Sequence, residues 1–333
     1  MNIANKVLIS ICMLLLILIL SACKQTEQTD ENIIIENEPS QNEKQNISYT
    51  FKNPNTSQEL NIIHAYMLYE KYFETKKDNP NESPHQLFKQ VVIKPIYDAC
   101  FKDAEYDKFS VFEWTPSEND FNSIKEQIES LEIDHMNELF EESLVKSSDM
   151  LSSDKKTTVC VFPENKRFPS DMITLGTGKI TVFLSELNNF FKSSEFDNYT
   201  KSGISHEYHH CVWTEMHYSE DYFFTVLDNL IMEGQAVMFE TLMYPDTNSV
   251  EVVLDESFDQ EHWRQIETYL ESSGTNDFIL GGTKGLPDYY GYSEGYKMIR
   301  SYLNLHPNLT VEEWTSKSPK EIFEEGNYLA NYQ

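Results

Sequence analysis

Apolar positions along this chain follow two different periods, and the change between them divides it into parts. Helical spacing comes first. Over 57–76 the apolar residues of SQELNIIHAYMLYEKYFETK fall roughly on one face, with Ser57 placed as a cap, and predict a helix. A second helix is predicted over 83–103, opened by Ser83-Pro84 and carrying Leu87, Val91, Val92, Ile96 and Cys100. A long acidic helix is predicted over 118–150, capped by Ser117 or Asn119, with Phe121, Ile124, Ile128, Leu131 and Leu139 on its apolar side. The period then shortens to two. Thr157–Phe162, Met172–Leu175 and Ile180–Leu184 predict strands, and Gly176 and Gly178 mark the turn between the last two. Helical spacing returns near 199–217, 221–243, 257–272, 288–304 and 318–325. The expected class is α+β, mostly helical, with a small β-sheet.

The first residues follow neither pattern. Lys6 precedes an apolar run from Val7 to Leu20, and Ser21-Ala22-Cys23 follows. That is the layout of a secretory signal, and the run is shorter than the roughly 18–20 apolar residues of a membrane-spanning helix. The ending Leu20-Ser21-Ala22-Cys23 resembles the bacterial lipobox, which implies a lipid on Cys23. Residues 24–50 are polar, acidic and aperiodic apart from Ile33-Ile34-Ile35, too poor in apolar surface to order themselves. The expected organisation is therefore a signal peptide over 1–22, a lipidated cysteine and flexible acidic tether over 23–56, and a folded domain over 57–333. Within that domain 57–150 is a helical N-terminal part and 151–333 carries the chemistry below. The expected location is outside the cell membrane of a bacterium, anchored to it by lipid.

Charge narrows the function further. Twenty-six Lys and Arg against 55 Asp and Glu give a formal charge of −29. No long window is basic, which excludes a nucleic-acid footprint. Beyond Cys12 and Cys23, three cysteines remain, Cys100, Cys160 and Cys211. An odd number argues against a disulfide framework. A Cys100–Cys160 bridge stays open, and Cys211 reads as a core residue.

The candidate chemistry lies in Ser205-His206-Glu207-Tyr208-His209-His210, which contains HExxH. On a helix His206 and His210 are one turn apart, so both imidazoles can hold one zinc ion. Glu207 stands beside them as a carboxylate general base for a water. A catalytic zinc site takes a third protein ligand. Glu233 supplies it from an otherwise apolar stretch with Leu227, Leu230, Ile231, Val237 and Met238, where a bare carboxylate would be costly to bury. Glu240 is the fallback ligand. Gly234 and Ala236 are small enough to let the two ligand helices approach closely. His209 is one residue off the ligand face and reads as packing. His217 ends the helix and is a minor candidate for a transition-state donor. Tyr292 and Tyr296, one turn apart in Tyr289-Tyr290-Gly291-Tyr292-Ser293-Glu294-Gly295-Tyr296, are further candidates to stabilise an oxyanion. Strand Ile180–Leu184 is the expected cleft edge, on which an extended peptide would add.

These segments together, ITVFLSE, HEYHH, IMEGQAVMFE and GYSEGYKMIRSYL, resemble the bacterial predicted Zn-dependent proteases of the HExxH gluzincin group, over roughly residues 120–325. The resemblance implies a zincin-like metallopeptidase with His206, His210 and Glu233 on Zn2+, Glu207 as base, and a peptide or protein as substrate. It also strengthens Tyr292 and Tyr296 as substrate-side residues. Gln235 and Phe239 depart from the family pattern, and neither removes a ligand. Two other readings share these residues. A zinc-containing or solute-binding surface lipoprotein without turnover gives Glu207 no duty, and a zinc hydrolase of non-peptide bonds uses them all.

Overall fold

The computed structural model describes residues 47–165, 171–184, 197–246, 257–273, 281–282 and 285–332. The expected signal peptide, Cys23 and most of the expected tether lie outside these residues.

The stretch expected to form one helix over 57–76 divides instead into strand and helix. Leu60, Asn61, Ile62 and Ile63 are all buried. A surface helix buries only one stripe, whereas a strand inside a sheet buries both faces. Glu59–Ile63 is accordingly strand β2, and helix begins only with a 3-10 turn at Ala65–Leu68 and α1, Tyr69–Asp78. Ser48–Lys52 forms β1, antiparallel to β2. Ser48–Lys52, which fell within the tether expected to reach residue 56, is thus paired in the sheet. The remaining strands are β3 (Thr157–Pro163), β4 (Met172–Gly176) and β5 (Lys179–Leu184), all three where the period of two places them. The sheet runs β1-β2-β3-β5-β4, with β2, β3 and β5 parallel and each outer strand antiparallel to its neighbour.

Along β3 the side chains alternate between two cores. Val159 and Val161 join one with Leu60, Ile62, Ile180 and Val182, while Cys160 and Phe162 join the other with Ile63 and Phe183. The second core is covered by α1, then α2 (Pro84–Phe88), a π turn over Lys89–Ile93 and α3 (Lys94–Cys100), which run on as one helix close to the range expected. Cys100 at its end forms a disulfide with Cys160 of β3. The odd cysteine count thus reflects one bridge and a buried free thiol, Cys211.

A four-residue helix, α4 (Phe109–Phe112), follows, and the long helix expected over 118–150 is broken in two. Ser117 and Asp120 form a capping box before α5 (Phe121–Glu129), and Ser130 ends it, its hydroxyl bonding back to Gln127 O at 2.8 Å. Helix α6, Ile133–Met150, then packs on the first core with α7 (Asp197–His217), α8 (Val226–Met243) and α10 (Tyr290–Leu305). Between the last two along the chain lies α9 (Gln260–Ile266), and α11 (Val311–Thr315), α12 (Pro319–Glu325) and a 3-10 turn at Tyr328–Tyr332 follow α10. The structure is mostly helical with one small mixed sheet, so the α+β expectation holds.

Candidate metal centre

Helix α7 presents two sides with different duties. Ile204, Tyr208, Cys211 and Val212 are buried in the core beneath it. Tyr208 anchors the helix through its hydroxyl, which donates to Gln58 Oε1 at 2.8 Å and Leu151 O at 2.9 Å. Ser205 meets Ser143 and Ser147 of α6 at 3.1 and 2.8 Å, small residues that bring the two helices close. His206 and His210 then project together, their rings 4.6 Å apart.

Helix α8 delivers the third group. Thr225 and Asp228 form a reciprocal capping box that sets its start. Two turns on, Glu233 Oε2 lies 3.2 Å from His206 Nε2 and 3.2 Å from His210 Nε2. Burial by itself pushes the Glu233 carboxyl up, but the His210 and His206 imidazoles together outweigh it and hold the group far below the usual carboxylate range. Burial likewise pushes His206 down, and its partners Glu233 and Glu240 reverse that. Glu240 is not beside the other ligand atoms. Its Oε2 sits 3.6 Å from His206 Nδ1, the far ring nitrogen, and accepts the Ser202 hydroxyl at 3.0 Å. It therefore lies behind the His206 ring, the position that outer carboxylates take behind metal-bound histidines, whereas Glu233 lies on the side shared with His210.

Gly234 serves a different contact from the one expected. A Cβ there would lie 2.1 Å from Gly295 C of α10, and a Cβ on Gly295 would lie 1.9 Å from Leu230 O. The close approach is thus between α8 and α10, not between the two helices that carry the ligands. Neither backbone can yield to a methyl group, so Gly295→Ala is expected to cost about 1–3 kcal/mol, read as a lowered urea midpoint with unchanged slope. An unaltered midpoint would mean that the helices are free to separate.

This contact brings Tyr292 to the centre, its ring 6.1 Å from that of His206. Burial first, and then the charges of Glu233 and Glu207, raise the Tyr292 phenol well above its ordinary value, so it stays a donor. Tyr296, one turn on, carries the Arg300 guanidinium over its ring at 5.7 Å. His217 donates through Nε2 to Thr315 O of α11 at 2.7 Å, which commits its donor to the backbone. His209 is a packing residue as expected, fully buried, stacked on Trp314 and 3.2 Å from Thr315 Oγ1. Gln235, the departure from the family pattern, ties α8 to the same short helix through Trp314 O at 2.8 Å.

Glu207 has a partner that periodicity did not reveal. The Thr174 hydroxyl of β4 donates to Glu207 at 2.8 Å, its one proton shared between the Glu207 backbone carbonyl and Oε2. The strand alternation puts Thr174 on the α7 side of the sheet, but no local pattern says which α7 residue it meets. The cleft edge also differs from expectation. β5 is paired on both sides, by β3 and by β4, so it has no ladder left for a peptide. Among the described residues, the outer strand beside the metal centre is β4.

The donor set fits zinc. Two imidazole nitrogens and one carboxylate oxygen all lie within 4.8 Å of one another. Ligand atoms at ~2.0–2.1 Å from a tetrahedral zinc stand ~3.3–3.4 Å from each other, close to the two 3.2 Å separations found here. The side chains keep 12%, 6% and 20% exposure for His206, His210 and Glu233, so the centre opens to solvent on one side, as a catalytic site requires. No curated protein and no solved structure matches the chain. Residues 136–324, the span that contains all three donors, Glu207, Thr174 and Tyr292, match the family described as Predicted Zn-dependent protease (DUF2268). The chain belongs to that family of predicted zinc-dependent proteases.

Proposed function

We propose that the protein is a zinc peptidase tethered by a lipid on Cys23 to the outer side of a bacterial membrane, with His206, His210 and Glu233 as ligands and Glu207 as general base. The observation that carries this reading is the convergence of three zinc-type donors beside a carboxylate held by Thr174. Bound zinc supplies Lewis acidity, polarising a carbonyl and bringing the pKa of a water to about 7. Glu207 takes the proton of the attacking water and returns it to the leaving amine. Thr174 fixes one oxygen of Glu207, so the carboxylate presents a constant face to that water. The protonated Tyr292 phenol donates to the oxygen on which negative charge develops. An extended peptide lies along β4, the outer strand among the described residues on this side of the sheet. Export is supported by the signal-like residues 1–23 and by the Cys100–Cys160 bridge, since disulfides persist in oxidising compartments.

The test is bound zinc and peptide hydrolysis measured on the same preparation of the full chain. One zinc per chain is expected, with cleavage of a mixed peptide library that a chelator abolishes and added zinc restores. A chain that holds no zinc overturns the site. One that holds zinc and cuts nothing transfers it to a non-catalytic role or a non-peptide substrate.

A further inference from the structure

Helix α10, which carries Tyr292, starts on a residue that its backbone does not favour. Its N-cap, Tyr289, lies in the left-handed region at φ 56° and ψ 26°, where a Cβ crowds the following carbonyl. In the turn before it, the described residues with a positive φ are all glycines, Gly281, Gly282 and Gly285. Elsewhere among the described non-glycine residues a positive φ falls on short polar side chains, Ser57, Asp103 and Asn327. Tyr289 is the bulky one, and a bulky residue in this region is an outlier.

Capping does not explain the choice. The Tyr289 side chain makes no capping hydrogen bond, and an N-cap backbone is ordinarily extended. Its carbonyl accepts Tyr292 N–H at 3.1 Å and Ser293 N–H at 3.3 Å, a backbone duty open to any residue. The conformation is fixed from both sides. Before it, Gly282 N–H donates to Leu286 O and Pro287 O at 3.1 and 3.0 Å, and after it Tyr290 is buried in the first core. Backbone strain that the surroundings hold in this way gathers at functional sites.

The Tyr289 ring lies against the tyrosine of the metal centre. It packs edge-on to Tyr292, with centroids 5.9 Å and planes 69° apart, an arrangement that aromatic pairs favour. The Tyr292 ring lies in turn 6.1 Å from that of His206. A phenol that is to meet a developing charge cannot be committed to another acceptor, so its direction comes from what its ring touches. On the first turn of α10 Tyr289 supplies such a contact, and a glycine there would not.

We propose that Tyr289 is a positioning residue, whose ring, set by the left-handed backbone, holds the Tyr292 phenol toward the oxygen on which charge develops. This rests on the peptidase reading above, in which Tyr292 is the donor. The test measures kcat and KM of the zinc-loaded full chain on the best-cut peptide of a mixed library. Tyr289→Gly should lower kcat about 10–100-fold, the range for a misplaced group, and leave KM within about twofold because the contact acts in the transition state. Tyr289→Asn, whose short side chain also accepts this φ, should lose as much. Tyr289→Phe keeps the ring contact and should stay within about twofold of wild type. In a Tyr292→Phe background, adding Tyr289→Gly should lower kcat by less than about twofold, because a residue that acts through the phenol has nothing left to position. Urea unfolding gives a readout apart from turnover. Tyr289→Gly should have a higher midpoint than Tyr289→Ala at the same slope, since only glycine takes this φ without strain. Full activity in Tyr289→Gly, full activity in Tyr292→Phe, or an equal further loss when the two are combined overturns the positioning role and leaves the peptidase reading intact. An alanine midpoint at or above that of glycine removes the strain on which the inference stands. Wild type that holds zinc and cuts no peptide at all removes the peptidase reading and this inference with it.

Discussion

Glu207→Gln in the full chain should keep its zinc and lose peptide hydrolysis by about 10²–10⁴-fold, the contribution typical of a positioned proton-transfer group. The substitution suits this test because it changes little else. Glu207 is 9% exposed and its carboxylate accepts the Thr174 hydroxyl. The glutamine amide has the same shape, and its oxygen accepts that bond equally well. What disappears is basicity. The proposed ligand atoms belong to His206, His210 and Glu233, so zinc content should match the wild type. The loss should fall on kcat, since a base acts in the transition state and adds little to ground-state binding. A variant within about tenfold of wild type would be weaker than any general-base role predicts and would move that role to another group. A variant that also lost its zinc would show that Glu207 supports the ligand helix structurally.

This result would speak for the part of the site that was legible in the sequence. Two histidines four residues apart share a helix face whatever the rest of the fold does, so HExxH is a local statement. Glu233 was legible for a different reason, as an acid in an apolar run. The groups around these residues were not legible, because they come from far along the chain. Thr174 reaches Glu207 across 33 residues and a change from strand to helix. Glu240 was visible as a carboxylate near the site, and it shares a helix face with Glu233, but only the position of α8 along α7 shows that it meets His206 Nδ1 and not the side shared with His210.

The fold shows the same division. β3, β4 and β5 were legible because alternation and glycine turns are local signals. β2 was misread because Leu60-Asn61-Ile62-Ile63 does not alternate, and a short apolar run buried on both faces resembles the start of the helix that follows it. The order β3-β5-β4, which takes β5 away from the edge, is a matter of pairing partners, and strand sequences do not name those. Cysteine spacing is equally silent on connectivity, so Cys100 and Cys160 are joined only once α3 lies on β3.

The position of α8 along α7 also sets the second large effect. Glu233→Gln should lower zinc affinity at least about 100-fold, whereas Glu240→Gln should lower it about 10–100-fold, the range for an outer partner of a ligating histidine. Glu233 Oε2 lies 3.2 Å from both ring nitrogens that face the centre. It is the one negative charge in the donor set, and a neutral amide leaves two imidazoles to hold a dication alone. Glu240 acts through a ring it does not share with the metal, taking up His206 Nδ1 on one side and Ser202 on the other. Competition against a chelator of known affinity measures both variants. Thermal unfolding with added zinc gives an independent reading, because a ligand that binds only the folded chain stabilises it by RT ln(1 + [L]/Kd). Saturating zinc should raise the midpoint of wild type and Glu240→Gln, and leave Glu233→Gln nearly unmoved at the same concentration. The reverse order of the two variants would make Glu240 the ligand and Glu233 its support, which requires α8 to slide by about two turns, roughly 10 Å along its axis, from the position seen here. The paired capping box at Thr225 and Asp228 and the Gly234–Gly295 contact both oppose that shift, one from the end of the helix and one from its middle.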